Sequence, residues 1–431
     1  MNWESLYQRK VTDAATALQA IESGHRLYLG GGAGVPITLT HALIERAPEL
    51  RDVEITHILT FAEAPYVDPA YQDSFRVNAL FIGANVRRAV QEGRADFTPV
   101  FLSEIPGLFR NGRLPIDVAL VSVSPPDEHG FCSFGVEVGT TKPAAESARV
   151  LIAEVNRQMP RTHGNSFIHL SRLHHIVEVD YPLPDAAQGG GSPQHLQIGQ
   201  IIAEMIPDGA TLQMGIGSIP DAVLQSLHHH KDLGVHTELF SDGVIDLVEE
   251  GVITCARKTF HPGKMVAGFL FGTQRLYDFV DNNPIIEMHP TDYVNDPFNI
   301  AQNEKMVAIN SAVQIDLTGQ VCADSIGPRF YSGVGGQIDF IRGAARSKGG
   351  LPIIACQATA QGGKTSRIVP MLYEGSGVVT TRNDVHYVVT EYGVASLYGK
   401  SVRQRAQELI AIAHPQFRDE LTHEAQKLGY L

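Results

Sequence analysis

One carboxylate in this chain stands where a carboxylate can do covalent chemistry. Glu238 ends the strand-like run His236-Thr237-Glu238-Leu239-Phe240, directly before the polar turn Ser241-Asp242-Gly243. Upstream, Leu212-Gln213-Met214-Gly215-Ile216-Gly217-Ser218-Ile219-Pro220 reads as a strand, a glycine loop and the opening of a helix. Strand, Gly-x-Gly, helix, strand, Glu makes a βαβ unit whose two strand ends open on one side of a sheet. Open α/β sheets bind their ligands at that edge.

Two chemistries suit such a unit. An acidic residue about 20 positions beyond the glycine loop bonds the ribose hydroxyls of a dinucleotide. Alternatively, the loop holds a CoA thioester and the carboxylate attacks it. The dinucleotide pattern wants a third glycine where helix and strand pack, and Pro220 stands there instead. Proline suits the first turn of a helix, so that match is incomplete. A strand-end glutamate facing solvent is the plain alternative, and this unit alone leaves all three readings open.

The elements around Glu238 have an echo in the first half. Residues 13–30 read as an Ala-rich helix, Gly24, the strand Arg26–Leu29 and then Gly30-Gly31-Gly32. Residues 196–217 repeat the order: a helix through Ile198, Ile201, Ile202 and Met205, then Gly209, the strand Thr211–Met214 and Gly215-Ile216-Gly217. Helices open next at Pro36 and Pro220, and second strands follow at Val53–Thr56 and Val235–Thr237. Two similar open α/β domains are expected, residues 1–185 and 186–431. The linker falls in Leu183–Gln194, whose Gly and Pro content resists any regular element. Only the second half carries a glutamate at the matching strand end; the first reads Ile55-Thr56-His57-Ile58 there.

Composition narrows the class. The 431 residues are 43% hydrophobic and 19% charged, an ordinary globular balance. A net charge of −13 with no basic stripe argues against nucleic acid. No run reaches the roughly 20 apolar residues of a membrane helix, and the start Met-Asn-Trp-Glu-Ser-Leu lacks the pattern of a signal peptide. Cys132, Cys255, Cys322 and Cys356 are too widely spaced for a CxxC pair. They read as free, buried thiols of a cytoplasmic protein.

Two further glycine-rich stretches, Tyr331–Phe340 and Gln361–Arg367, have the ingredients of an anion contact. Neither has P-loop spacing, and each alone is as well read as a surface turn. His228-His229-His230 is placed at a helix end, where positive charge complements the dipole. No metal site is expected, because consecutive helical residues point apart and HExxH is absent. His129 is assigned to a turn and Asp242 to a cap.

Together these stretches resemble a known family over essentially the whole chain. The carriers are Val121–Phe131 (Val-Ser-Val-Ser-Pro-Pro-Asp-Glu-His-Gly-Phe), Glu154-Val155-Asn156 and Met159–Gly164. Glu238–Gly243, Tyr277–Pro284, Val321–Ser325, Ser332–Phe340 and Asn383–Gly393 complete them. The chain resembles the acetyl-CoA hydrolase/transferase family of class I CoA-transferases, in particular the 4-hydroxybutyrate and butyrate:acetate enzymes.

The resemblance implies a CoA-transferase fold with the active site at the interface of its two domains. Glu238 would be the nucleophile of a ping-pong transfer of CoA from 4-hydroxybutyryl-CoA or butyryl-CoA to acetate, through a glutamyl-CoA thioester. It further implies that Gln213, Met214, Gly215, Ile216 and Gly217 form part of the CoA site. Gly335 and Gly336 would supply N–H donors near the thioester. Asn310, Gln361 and Lys364 are candidate contacts to the CoA chain. Gln361 departs from the lysine of relatives, which moves the expected phosphate contact to Lys364. CoA would be a substrate, with no tightly bound cofactor and no metal, and the assembly a homodimer. A hydrolase on the same scaffold and a non-catalytic nucleotide-binding α/β protein are the alternatives.

Overall fold

The computed structural model describes residues 3–186 and 191–431. Of the expected linker Leu183–Gln194, residues 187–190 lie outside the described residues. The chain folds as two compact units, Met1–Ala187 with Val266–Val294, and Gln188–Met265 with Asn295–Leu431.

A seven-stranded sheet underlies the first unit. Its strands are β1 (Arg26–Leu29), β2 (Val53–His57), β3 (Phe75–Ala79), β4 (Asp96–Phe97), β5 (Val118–Val123), β6 (Val150–Asn156) and β7 (His175–Val179). They lie in the order β7-β6-β5-β1-β2-β3-β4. Every pairing is parallel, with Tyr28 opposite Thr56 and Leu29 opposite Leu120. Parallel strands are covered on both faces and so read as continuous apolar runs; β5 is buried at every position. Leu27, Leu29, Leu39, Leu43, Ile55, Val77 and Leu120 form the centre of this core.

Residues 266–294 return to this first unit. Glu137 pairs with Phe269, and the Gly268 carbonyl accepts from the N–H groups of Val138 and Gly139 at 3.1 and 3.0 Å. Glu287 and Met288 run parallel to His163 and Gly164. A division at 185/186 assigns this segment to the second half, whereas these pairings hold it in the first. Each partner is remote in sequence, so no local pattern announces the return.

The second unit repeats the design with β8 (Thr211–Met214), β9 (Gly234–Phe240), β10 (Met306–Ser311), β11 (Leu351–Ala355), β12 (Tyr387–Thr390) and β13 (Gly393–Ser396). Their order is β13-β12-β11-β10-β8-β9. Only β12 and β13 are antiparallel, and Leu212 of β8 lies between Val235 and Val307. Ile315, Leu317, Ile341, Ile354, Val388 and Leu409 pack the core beside these strands.

The echo seen in the sequence is present in both units. Each has a left-handed glycine before its strand, Gly24 (φ 80°) and Gly209 (φ 74°). Each strand then runs through a glycine loop into a helix, Ile37–Glu45 after β1 and Ser218–Leu224 after β8. The preceding helices differ. Pro193–Met205 has 13 residues and a Ser192–His195 capping box, but the first half has only the turn Ala14–Ala17 and a 3-10 extension. His228–His230 lie beyond the helix, which stops at Leu224. His228 instead meets Glu250 at 2.6 Å. All four cysteines are buried and free.

Candidate active site

Glu238 lies near the end of β9, past the last residues that pair with β8, Thr211 with Gly234 and Leu212 with Val235. Thr237, one residue earlier, stitches the two strand ends together. Its hydroxyl sits 2.9 Å from the carbonyls of both Met214 and Leu239 and accepts the Met214 N–H at 3.3 Å. Thr237 and Leu239 are buried, and Glu238 between them is half-buried because the strand alternates its faces.

The Glu238 carboxylate is gripped from two remote parts of the second unit. Its Oε2 accepts from Asn295 Nδ2 at 3.1 Å, and the backbone N–H of Gly336 also donates to the carboxylate. Gly336 is the N-cap of the 10-residue helix Gln337–Arg346, whose N-terminal partial charge favours an anion. A Cβ on Gly336 would overlap both Glu238 Oε2 and Asn295 Nδ2. Any other residue at that position would push both groups out of this arrangement. Burial pushes the Glu238 pKa up to about 7, against the downward pull of the Asn295 and Gly336 bonds. A carboxyl so poised exchanges its proton near neutral pH, and its ionised form is poorly solvated, which suits nucleophilic attack.

Gln213 and Asn310 meet each other, with Asn310 Nδ2 donating to Gln213 Oε1 at 3.0 Å. This bond ties β8 to the end of β10. The loop Gly215-Ile216-Gly217 is open: a Cβ at Gly215 or Gly217 would meet nothing within 4 Å, and Ile216 is exposed. Gly217 has a φ of 120°, so glycine is there for its backbone and not for space.

Beside this loop lies a cavity of about 540 Å³, walled by Ile219, Ser311, Tyr331, Ser332, Gln361 and Arg367 among others. Gln361 is therefore a wall residue, and Asn310 immediately precedes one. Lys364 is exposed in the turn between the short strands Thr359–Ala360 and Thr365–Ser366 and is not part of the wall. Tyr331 and Ser332 begin the segment that ends at Gly336, so one stretch of chain joins the cavity to the Glu238 carboxylate. Gly335 adopts a φ of 58°, and the bond to Glu238 comes from Gly336.

Asn295 and Thr237 were not distinguishable in the sequence as site residues. Asn295 stands just before the Asp296-Pro297 start of a short helix, where an asparagine draws no attention. Asp242 is the N-cap of Gly243–Glu249, with no side-chain capping bond. His129 is exposed, in a turn tied by Asp127 Oδ1 accepting the His129 N–H at 2.9 Å.

A glutamate held near a strand end by an asparagine and a glycine N–H at a helix start, with an adjoining cavity, sets the frame for the sequence comparisons. The profile of the acetyl-CoA hydrolase/transferase N-terminal domain matches residues 1–184, and that of the C-terminal domain matches 272–425. The chain belongs to the acetyl-CoA hydrolase/transferase family. As a member it is an enzyme of CoA-thioester chemistry. It is 52% identical over 427 residues to the 4-hydroxybutyrate coenzyme A transferase of Clostridium kluyveri, covering 99% of this chain and 100% of that one. It is 50% identical over 410 residues to the succinyl-CoA:acetate/propanoyl-CoA:succinate CoA transferase of Fasciola hepatica, covering 94% and 85%. A solved 4-hydroxybutyrate CoA-transferase from Porphyromonas gingivalis superposes with a TM-score of 0.87 at 44% identity, covering 99% and 100%. Among the described residues of this family member, no helix is long and apolar enough to cross a membrane.

Proposed function

We propose that this enzyme moves CoA between a short-chain acyl-CoA, 4-hydroxybutyryl-CoA or butyryl-CoA, and acetate, with Glu238 as the covalent carrier. The Glu238 carboxylate attacks the thioester carbonyl, and CoA leaves as thiolate to give an acyl-glutamyl anhydride. The thiolate then attacks the glutamyl carbonyl, and the acyl group departs as a free carboxylate. A glutamyl-CoA thioester remains. Acetate reverses both steps: it attacks the glutamyl carbonyl, expels thiolate, and the thiolate takes the acetyl group from the anhydride. Glu238 is regenerated, and no water enters the balance.

The observation that carries this reading is the grip of Asn295 and Gly336 on one carboxylate. Whenever the glutamyl carbonyl is itself attacked, negative charge develops on the oxygen those donors already hold. Preorganised donors of this kind are each worth about 3–4 kcal/mol at the transition state. The loop Gln213–Gly217, with Asn310 and Gln361, would guide the CoA chain, and Gly335 would give Gly336 its orientation. The free buried thiols fit a cytoplasmic setting, and a homodimer is the assembly this reading carries.

Butyryl-CoA incubated with acetate tests the reading. Acetyl-CoA should form rapidly, and free CoA should appear slowly without acetate. Rapid CoA release that ignores acetate would make the enzyme a hydrolase on the same scaffold.

A further inference from the structure

The cavity beside the glycine loop has an unusual charge balance. The whole chain carries 47 acidic against 34 basic side chains, yet among the described residues no aspartate or glutamate forms part of the cavity wall. The wall is amide, hydroxyl and apolar, with Gln314, Gln357, Gln361, Thr365 and Ser366 beside Tyr331 and Tyr373. Among the described residues its one permanent cation is Arg367.

Arg367 is held firmly and its charge is left unmatched. Its backbone N–H donates to the Ala358 carbonyl at 2.9 Å, and its carbonyl accepts the Ile315 N–H at 2.8 Å. Nη1 donates to the carbonyls of Ala312 and Val313 at 3.0 and 3.2 Å. Nε is buried with no acceptor among the described residues. No carboxylate pairs with this guanidinium among the described residues. Glu391, close enough to influence Cys356 as Arg367 does, accepts the Ala358 N–H at 2.8 Å and makes no ion pair with Arg367 among the described residues. Nη2 remains as the donor available to a ligand. A guanidinium fixed by carbonyls, in a wall with no carboxylate among the described residues, is a site for an anion, and a phosphate oxygen can accept from Nη2.

We propose that Arg367 is the cation that binds the anionic 3′-phospho-ADP end of the CoA thioester in this cavity. The family resemblance gives that role to Lys364, which the fold leaves exposed on the hairpin turn. The inference rests on the reading that the enzyme uses CoA thioesters. It assigns the tyrosines of the wall to the adenine ring, whose flat face suits aromatic contact.

The test compares butyryl-CoA with S-butyryl-pantetheine, which keeps the thioester and lacks the nucleotide. The ratio of kcat/KM for the two substrates is measured in the wild type and in Arg367→Gln. A tenfold or greater fall in that ratio is expected, and any smaller change overturns the assignment. Should Arg367→Gln fail to fold by circular dichroism, Thr365→Glu decides by the same criterion, since it sets a carboxylate in the half-buried hairpin wall. Calorimetric titration with CoA and with pantetheine gives the corresponding ratio without turnover. An enzyme that binds CoA but transfers none to acetate therefore contradicts the transfer reading while leaving this test readable.

Discussion

Asn295 Nδ2 donates to Glu238 Oε2 at 3.1 Å across 57 residues of sequence. The bond joins a side chain that is fully buried to the carboxylate proposed as the covalent carrier. Removing it should affect the transition state more than substrate binding. Asn295→Ala is expected to lower kcat about 100-fold or more with little change in KM, as for other lost oxyanion donors. A rise in KM at unchanged kcat would show that the amide serves binding instead.

The rate should follow the ionisation of Glu238. With its pKa pushed up to about 7 by burial, kcat/KM should climb with pH below about 7 and level off above it, because only the carboxylate attacks. Asn295→Asp places a second acid against the first and should move the rising limb to higher pH. An unchanged profile in that variant would detach the limb from Glu238.

Gly336→Val forces a branched side chain into the space of Glu238 Oε2 and Asn295 Nδ2. Activity should collapse while the far-UV circular dichroism stays close to wild type. Near-normal turnover would mean that the Gly336 contact does not matter to catalysis.

Much of this arrangement was legible in the sequence, for a physical reason. Strand, glycine loop, proline-opened helix and strand are local patterns, and they located β1, β2, β8 and β9 and the place of Glu238. Of the two groups that grip Glu238, Gly336 was expected as an N–H donor, from a glycine-rich stretch and the family resemblance. Asn295 was not legible, because it reaches the carboxylate only through tertiary folding and has no neighbourhood that marks it. The return of residues 266–294 to the first unit was hidden for the same reason. Lys364 and Arg367 share one glycine-rich stretch, and composition could not tell which cation turns inward; the hairpin does.

A second buried carboxyl gives a prediction about stability. Glu137 is 1% exposed, its Oε2 lacks a partner among the described residues, and burial pushes its pKa from 4.5 to about 7. The native state therefore holds a proton that the unfolded chain releases between those values. Its stabilising effect is complete below pH 4.5 and is lost as pH rises through about 7. Glu137→Gln should remove that loss, gaining about 2–3 kcal/mol relative to wild type at pH 8 compared with pH 5. Melting curves of both proteins at the two pH values check it, and an equal difference at both would contradict it.

The central claim is that CoA rides on Glu238. Incubating the enzyme with butyryl-CoA, quenching with borohydride and mapping the peptides by mass spectrometry tests it directly. Reduction should convert the Glu238 thioester to an alcohol, leaving the modification on that residue alone and absent without acyl-CoA. An enzyme that turns over butyryl-CoA and acetate yet returns an unmodified Glu238 peptide, or a modified residue elsewhere, would contradict the account.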